Sequence, residues 1–230
     1  MAAVTPPATI YFMAFDQCDE LDVVAPFAVL QTANRYLPYR KVPSEIELRI
    51  VAVDGSGAVT LEGPNGPQLV VTGIHGMTIA VEPWDGDVLP DLLIVAGGNV
   101  ENGTGIMRQA ANPAFTTPIQ RQFARGARIA SVCTGAFGLV GAGIAQGRRM
   151  TTHPGLMNDL AAAGVTVLNP DWTARVVDLD GIVSCGGVTS GIDEALYFLE
   201  TCWPQDPQLV SDVRGFVDYP YRAIVRAERS

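Results

Sequence analysis

A chain of 230 residues, 48% hydrophobic and 17% charged, can bury a sizeable core, which excludes a disordered chain. Its formal net charge of −9 disfavours phosphate backbones and anionic membranes, and the basic clusters Arg121/Arg125/Arg128 and Arg148/Arg149 are short. No apolar stretch reaches the ~18 residues of a membrane-spanning helix, and the opening residues lack the basic-then-apolar pattern of a signal peptide. One domain over residues 1–230, located in the cytoplasm, is the expectation.

In chain order, Ala8 to Phe15 is a β-branched and aromatic run that predicts a strand. After a loop, Val23, Phe27 and Leu30 return at helical spacing. Ile46 to Val53 alternates as a strand, the turn residues Asp54 to Gly57 close it, and Leu61 to Val71 reads as a hairpin. Asp91 to Gly98, DLLIVAGG, has the continuous apolar character of a strand buried on both faces of a parallel sheet, followed by a loop with Asn99, Asn102 and Gly103. A helix over Pro113 to Gly126 leads to a strand over Ala127 to Cys133 and a helix over Thr134 to Gly147, with Gly147 as its stop. Pro154 to Gly164 repeats the helical grammar, and two alternating runs between Thr173 and Gly187 meet at the turn Asp180-Gly181. Thr189 to Trp203 is the last clear long helix, opened by a Ser or Thr cap. Strands alternating with helices predict a mostly parallel sheet covered on both faces, with hairpins at its margin.

In such folds ligands bind outside the carboxyl ends of the strands, where Gly97-Gly98 and Cys133 both fall. The four cysteines, Cys18, Cys133, Cys185 and Cys202, lack CxxC spacing, and neither His75 nor His153 forms a metal-type cluster with them, so four free thiols and no metal are expected. Cys133 stands where a strand turns sharply into a helix. The helix field and the small residues Thr134, Gly135 and Ala136 suit a nucleophile there, and its thiol is expected to titrate well below the ~8.5 of free cysteine. An N–H of Gly97-Gly98 with that of Thr134 would face a developing negative charge. Spacing alone makes Asp22 a helix N-cap, Cys185 a packing residue, and Asp193 and Glu194 capping or sheet-edge residues.

The segments ELDVVAP, LLIVAGGN, ASVCTGAFGLVGAGIAQGRRMTTH and CGGVTSGIDEAL together resemble the ThiJ/PfpI superfamily from about Thr9 to Trp203, nearest its isonitrile hydratase branch and the amidase-like domains fused to AraC-type regulators. The resemblance implies a flavodoxin-like α/β/α fold with an elbow cysteine, Cys133 as nucleophile, Asp22 as a protonated general acid, and Gly98 and Thr134 as oxyanion donors. Gly97, Asn99 and His153 would line the substrate. It also implies a homodimer, paired near the first helix and the TTHP segment, acting on a small molecule without a cofactor. The chemistry implied is isonitrile hydration. The alternatives are glyoxalase or deglycase chemistry, whose branch usually carries glutamate at the position of Asp22, and a non-catalytic ligand or redox sensor. The 27 residues after Trp203 are too few for paired helix-turn-helix units, so direct DNA binding is not expected. Thr134 stands where the protease-like branch carries histidine, which removes a Cys-His protease pair. The shape of the pocket loops, Asn99 to Ile106 and Asp171 to Thr173, is not legible in the sequence.

Overall fold

A computed structural model describes residues 9–40, 45–54, 61–63, 66–168, 174–220 and 223–226, so the expected turn after Asp54 and the loop at Asp171 to Thr173 lie outside the described residues. The strands are β1 (Thr9–Met13), β2 (Glu47–Ala52), β3 (Leu61–Gly63), β4 (Gly66–Thr72), β5 (Thr78–Pro83), β6 (Leu92–Val95), β7 (Arg128–Ser131), β8 (Arg149–Met150), β9 (Thr166–Val167), β10 (Ala174–Leu179), β11 (Ile182–Cys185) and β12 (Ala223–Arg226). The helices are α1 (Glu20–Tyr36), α2 (Gly105–Ala110), α3 (Pro113–Ala124), α4 (Ala136–Gly141), α5 (Met157–Ala162), α6 (Ser190–Cys202) and α7 (Pro207–Val217).

Ten strands form one sheet in the order β12-β10-β11-β7-β6-β1-β2-β5-β4-β3. The six from β11 to β5 are mutually parallel, and antiparallel β10 and β4 begin the margins. The parallel centre follows from apolar runs such as Leu92–Val95 and Ile182–Cys185, whose every residue is buried. Helices α1, α6 and α7 pack on one another, as do α2, α3 and α4, giving a helical layer on either side. The chain winds outward in both directions from β1 and β6, and the crevice between their carboxyl ends is the switch point of the fold.

The helix expected over Thr134 to Gly147 is shorter than its sequence suggested. A 3-10 turn at Cys133–Gly135 precedes α4, which ends at Gly141, and Gly143, not Gly147, is the first left-handed residue past it (φ 72°). Strand β5, helix α7 and strand β12 are absent from the sequence reading; the strands are short or polar-interrupted, whereas α7 carries helical spacing at Leu209, Val210, Val213, Phe216 and Val217 that could have found it.

Candidate active site

The elbow is the centre of the site. Strand β7 ends at Ser131, Val132 is still extended, and Cys133 takes φ 57°, a left-handed conformation that non-glycine residues seldom adopt. Three contacts hold it there. The Cys133 N–H donates to Gly186 O at 3.0 Å, the Cys133 carbonyl accepts from Thr152 Oγ1 at 2.8 Å, and Gly135 N–H closes back on Val132 O at 2.9 Å. Gly135 sits so close to the carbonyl oxygens of Val95 and Ala96 that a Cβ there would collide with them.

Asp22 reaches this elbow from α1 because a neighbour does its expected job. Asp19 is the N-cap, its Oδ1 accepting Leu21 N–H at 3.0 Å, which corrects the capping role read for Asp22 from spacing. Asp22, fully buried, accepts Gly97 N–H on Oδ2 at 3.0 Å and interacts with Cys133 through its side chain. A Cβ on Gly97 would lie 2.7 Å from Asp22 Oδ2 and 2.6 Å from Thr134 N, so only glycine lets the acid and the elbow meet.

Gly98 and Thr134 come together differently from the expectation. The Gly98 N–H donates to Thr134 Oγ1 at 2.8 Å, and that hydroxyl donates to Gly98 O at 2.9 Å. Gly98 is thus a stitch between β6 and the elbow and not a free oxyanion donor. The backbone N–H groups that face the Cys133 sulfur are those of Val188 and Thr134. Val188, at φ 38°, is a strained β-branched residue that the sequence reading missed, although CGGVTS places paired glycines beside it.

Burial, and after it Asp19, pushes the Asp22 carboxyl well above its ordinary range, outweighing the Gly97 N–H and Cys133. Burial first and then Asp22 push the Cys133 thiol up to about 12. This corrects the expected low titration: α4 begins three residues beyond the sulfur and has only six residues, whereas Cys133 is 5% exposed beside an acid. Burial thus favours the protonated form of both members of the pair.

A second buried acid was misread. Glu194 of α6 is neither a cap nor a sheet-edge group: it is fully buried, burial pushes it well above its ordinary range, and it interacts with the Cys185 thiol. Its position directly before the run Ala195–Leu199 was the available signal. Asp193 pairs with Arg175 at 3.0 Å. His153 Nδ1 accepts Gly155 N–H at 3.1 Å and its ring lies over Gly187, in the loop that carries Val188.

Of the predicted site residues, Asn99 alone borders a cleft of about 410 Å³, with Gln17, Thr72, Ile74, Thr104 and Arg108. A larger groove of about 900 Å³ by Tyr11, Trp84 and Arg121 includes none of these site residues. Asp19, Glu20 and His75 have ligand atoms within 4.8 Å of one another. Glu20 already accepts the N–H groups of His75 (3.0 Å) and Met77 (3.1 Å), so loop anchoring accounts for this trio.

Comparison with known proteins gives the same assignment. The DJ-1/PfpI family profile matches residues 8–201. An isonitrile hydratase of Pseudomonas putida is 31% identical over 188 residues, 81% of this chain and 68% of that one. A deglycase of Pyrococcus abyssi is 33% identical over 131 residues, 56% of this chain and 70% of that one. Among solved structures, oxidized Toxoplasma gondii DJ-1 superposes with a TM-score of 0.69 at 19% identity, covering 93% of this chain and all of that one. A ThiJ/PfpI family protein of Pseudomonas syringae gives 0.70 at 20%, covering 98% and 80%. With a left-handed cysteine at the switch point, a buried acid against it, and a profile match spanning most of its length, the chain belongs to the DJ-1/PfpI family.

Proposed function

We propose that the chain is a cysteine-dependent enzyme that adds Cys133 to a small carbon electrophile, and that the reaction is hydration of an isonitrile to an N-substituted formamide. The observation that carries this reading is the fully buried Asp22 carboxyl, bound by the Gly97 N–H beside Cys133, in surroundings that favour its protonated form. A protonated carboxyl has one O–H to give and one oxygen to receive. As the sulfur bonds to the terminal carbon, Asp22 delivers its proton to that carbon and takes up the thiol proton, so no uncompensated charge is buried. Water then adds to the thioimidate carbon, the nitrogen is protonated, and the carbon–sulfur bond breaks to return the thiol and release the formamide. The Thr134 and Val188 N–H groups are placed to stabilise charge at the sulfur and on the group bound to it.

The deglycase reading, with the same sulfur forming a hemithioacetal on an α-oxoaldehyde, draws on the 33% identity to the Pyrococcus abyssi protein. The isonitrile reading is preferred because that resemblance extends over 81% of the chain against 56%. Leu21, Ile74 and Met77, exposed near the start of α1, suit the homodimer implied by the resemblance. The deciding experiment is steady-state turnover of cyclohexyl isonitrile and of methylglyoxal by the parent and Cys133→Ser. Formamide production lost in the serine variant supports hydration, turnover of methylglyoxal alone supports the second reading, and no turnover of either leaves a sensor.

A further inference from the structure

The loop that carries Val188 is gripped from outside the active site. Arg175, on β10 and with a side chain only 10% exposed, donates from Nη2 to Gly187 O at 3.2 Å and to Thr189 Oγ1 at 2.6 Å. Its Nη1 contacts Asp193 Oδ2 at 3.0 Å and donates to Tyr219 Oη at 2.8 Å, and the tyrosine hydroxyl donates to the same Asp193 oxygen at 3.1 Å. Thr189 is the N-cap position of α6 yet makes no capping bond, its hydroxyl being taken by the arginine instead. The opposite side of the loop is closed by His153, whose Cδ2 would lie 2.7 Å from a Cβ on Gly187. The enclosed backbone gives Gly186 O to the Cys133 N–H and turns Val188 to φ 38°.

A β-branched residue in the left-handed region persists only where its surroundings over-determine it, and the arginine fork supplies that constraint. We propose that Arg175, oriented by Asp193 and Tyr219, is a positioning residue for Cys133: it locks the Gly186–Thr189 loop in its strained form so that the Val188 N–H stays aimed at the sulfur. This rests on Cys133 being the nucleophile.

The test is the rate of Cys133 alkylation by iodoacetamide at pH 8, followed by peptide mass mapping, in the parent, Tyr219→Phe, Thr189→Val and Arg175→Met, beside their thermal midpoints. Loss of one N–H donor to a charged sulfur lowers the thiolate fraction about tenfold. The expected order is parent fastest, Tyr219→Phe and Thr189→Val slower by a factor of about two to three, and Arg175→Met slower by about tenfold. A strap that merely holds the structure together would do the reverse, because cutting it would open up Cys133, a residue now only 5% exposed. Unchanged or faster alkylation in Tyr219→Phe and Thr189→Val overturns the proposal, and these two mild variants decide it even if Arg175→Met fails to fold. Failure of the underlying reading shows separately, as turnover that survives Cys133→Ser.

Discussion

At the scale of single residues, the chemistry depends on one displaced role. Asp19 caps α1, and Asp22 is thereby released to face the sulfur. The sequence identified the residue, through resemblance, but spacing alone assigned it to the cap, because a residue's distance from a helix start does not say which of three nearby acids the backbone will use. Asp22→Asn keeps the size and the bond from Gly97 but cannot deliver a proton, so turnover is expected to fall by ~10² to 10⁴. On the proposed mechanism activity requires the protonated acid, and in the parent it is expected to decline as pH rises through the raised Asp22 pKa. A pH–rate profile for the preferred substrate checks the direction; a parental rate in the asparagine variant would remove Asp22 from the mechanism.

At the scale of elements, the elbow and its supports were legible in unequal measure. Apolar runs ending in small residues marked β6, β7 and the cysteine turn, because a doubly buried strand has no other composition open to it. The loop from Gly186 to Thr189 was not legible, since the signal that fixes it lies in Arg175 and Tyr219, far away in sequence and joined to it only by folding. The length of α4 was misjudged for a related reason: Gly141 lies so tightly against the Ala110 backbone that packing on α2, not helix propensity, decides where α4 runs. The equally tight glycine at the elbow gives a prediction. Gly135→Ala would drive a methyl into the Val95 carbonyl, and should cost about 3 kcal/mol, or roughly 6–12 °C in thermal midpoint. Differential scanning calorimetry measures it, and a parental midpoint would show that the elbow can shift without strain.

At the scale of the whole molecule, the buried acids couple stability to pH. Asp22 and Glu194 are both raised in the folded chain, so each retains a proton that the unfolded chain releases above its ordinary values of 3.8 and 4.5. Stability is expected to fall as pH rises from about 5, each group adding a slope of up to ~1.4 kcal/mol per pH unit until its folded pKa is passed. Opposing this, Asp180 is lowered to about 2 by hydrogen bonds from Arg149, a contribution present above its unfolded value and lost only as pH falls toward 2. Urea unfolding between pH 5 and 8 should therefore show a declining free energy in the parent and a shallower decline in Glu194→Gln; equal slopes would mean that Glu194 is ionised when folded. The doubly wound architecture itself was plain in the sequence, whereas the buried Glu194 was not, since a pattern of apolar spacing treats a buried glutamate as an error. As for assembly, light scattering at micromolar concentration is expected to give twice the 24.4 kDa of one chain. A monomer mass would refute pairing through the surface around Leu21, Ile74 and Met77.

The left-handed backbone at Cys133 also bears on how such a chain can change over generations. Glycine is the one residue that adopts φ 57° without penalty, and a cysteine codon becomes a glycine codon by a single base change. That step removes the proposed nucleophile and, with it, strain on the order of 1 kcal/mol, which offsets part of the packing lost with the sulfur. Descendants that lost the thiol would therefore start with little handicap in folding.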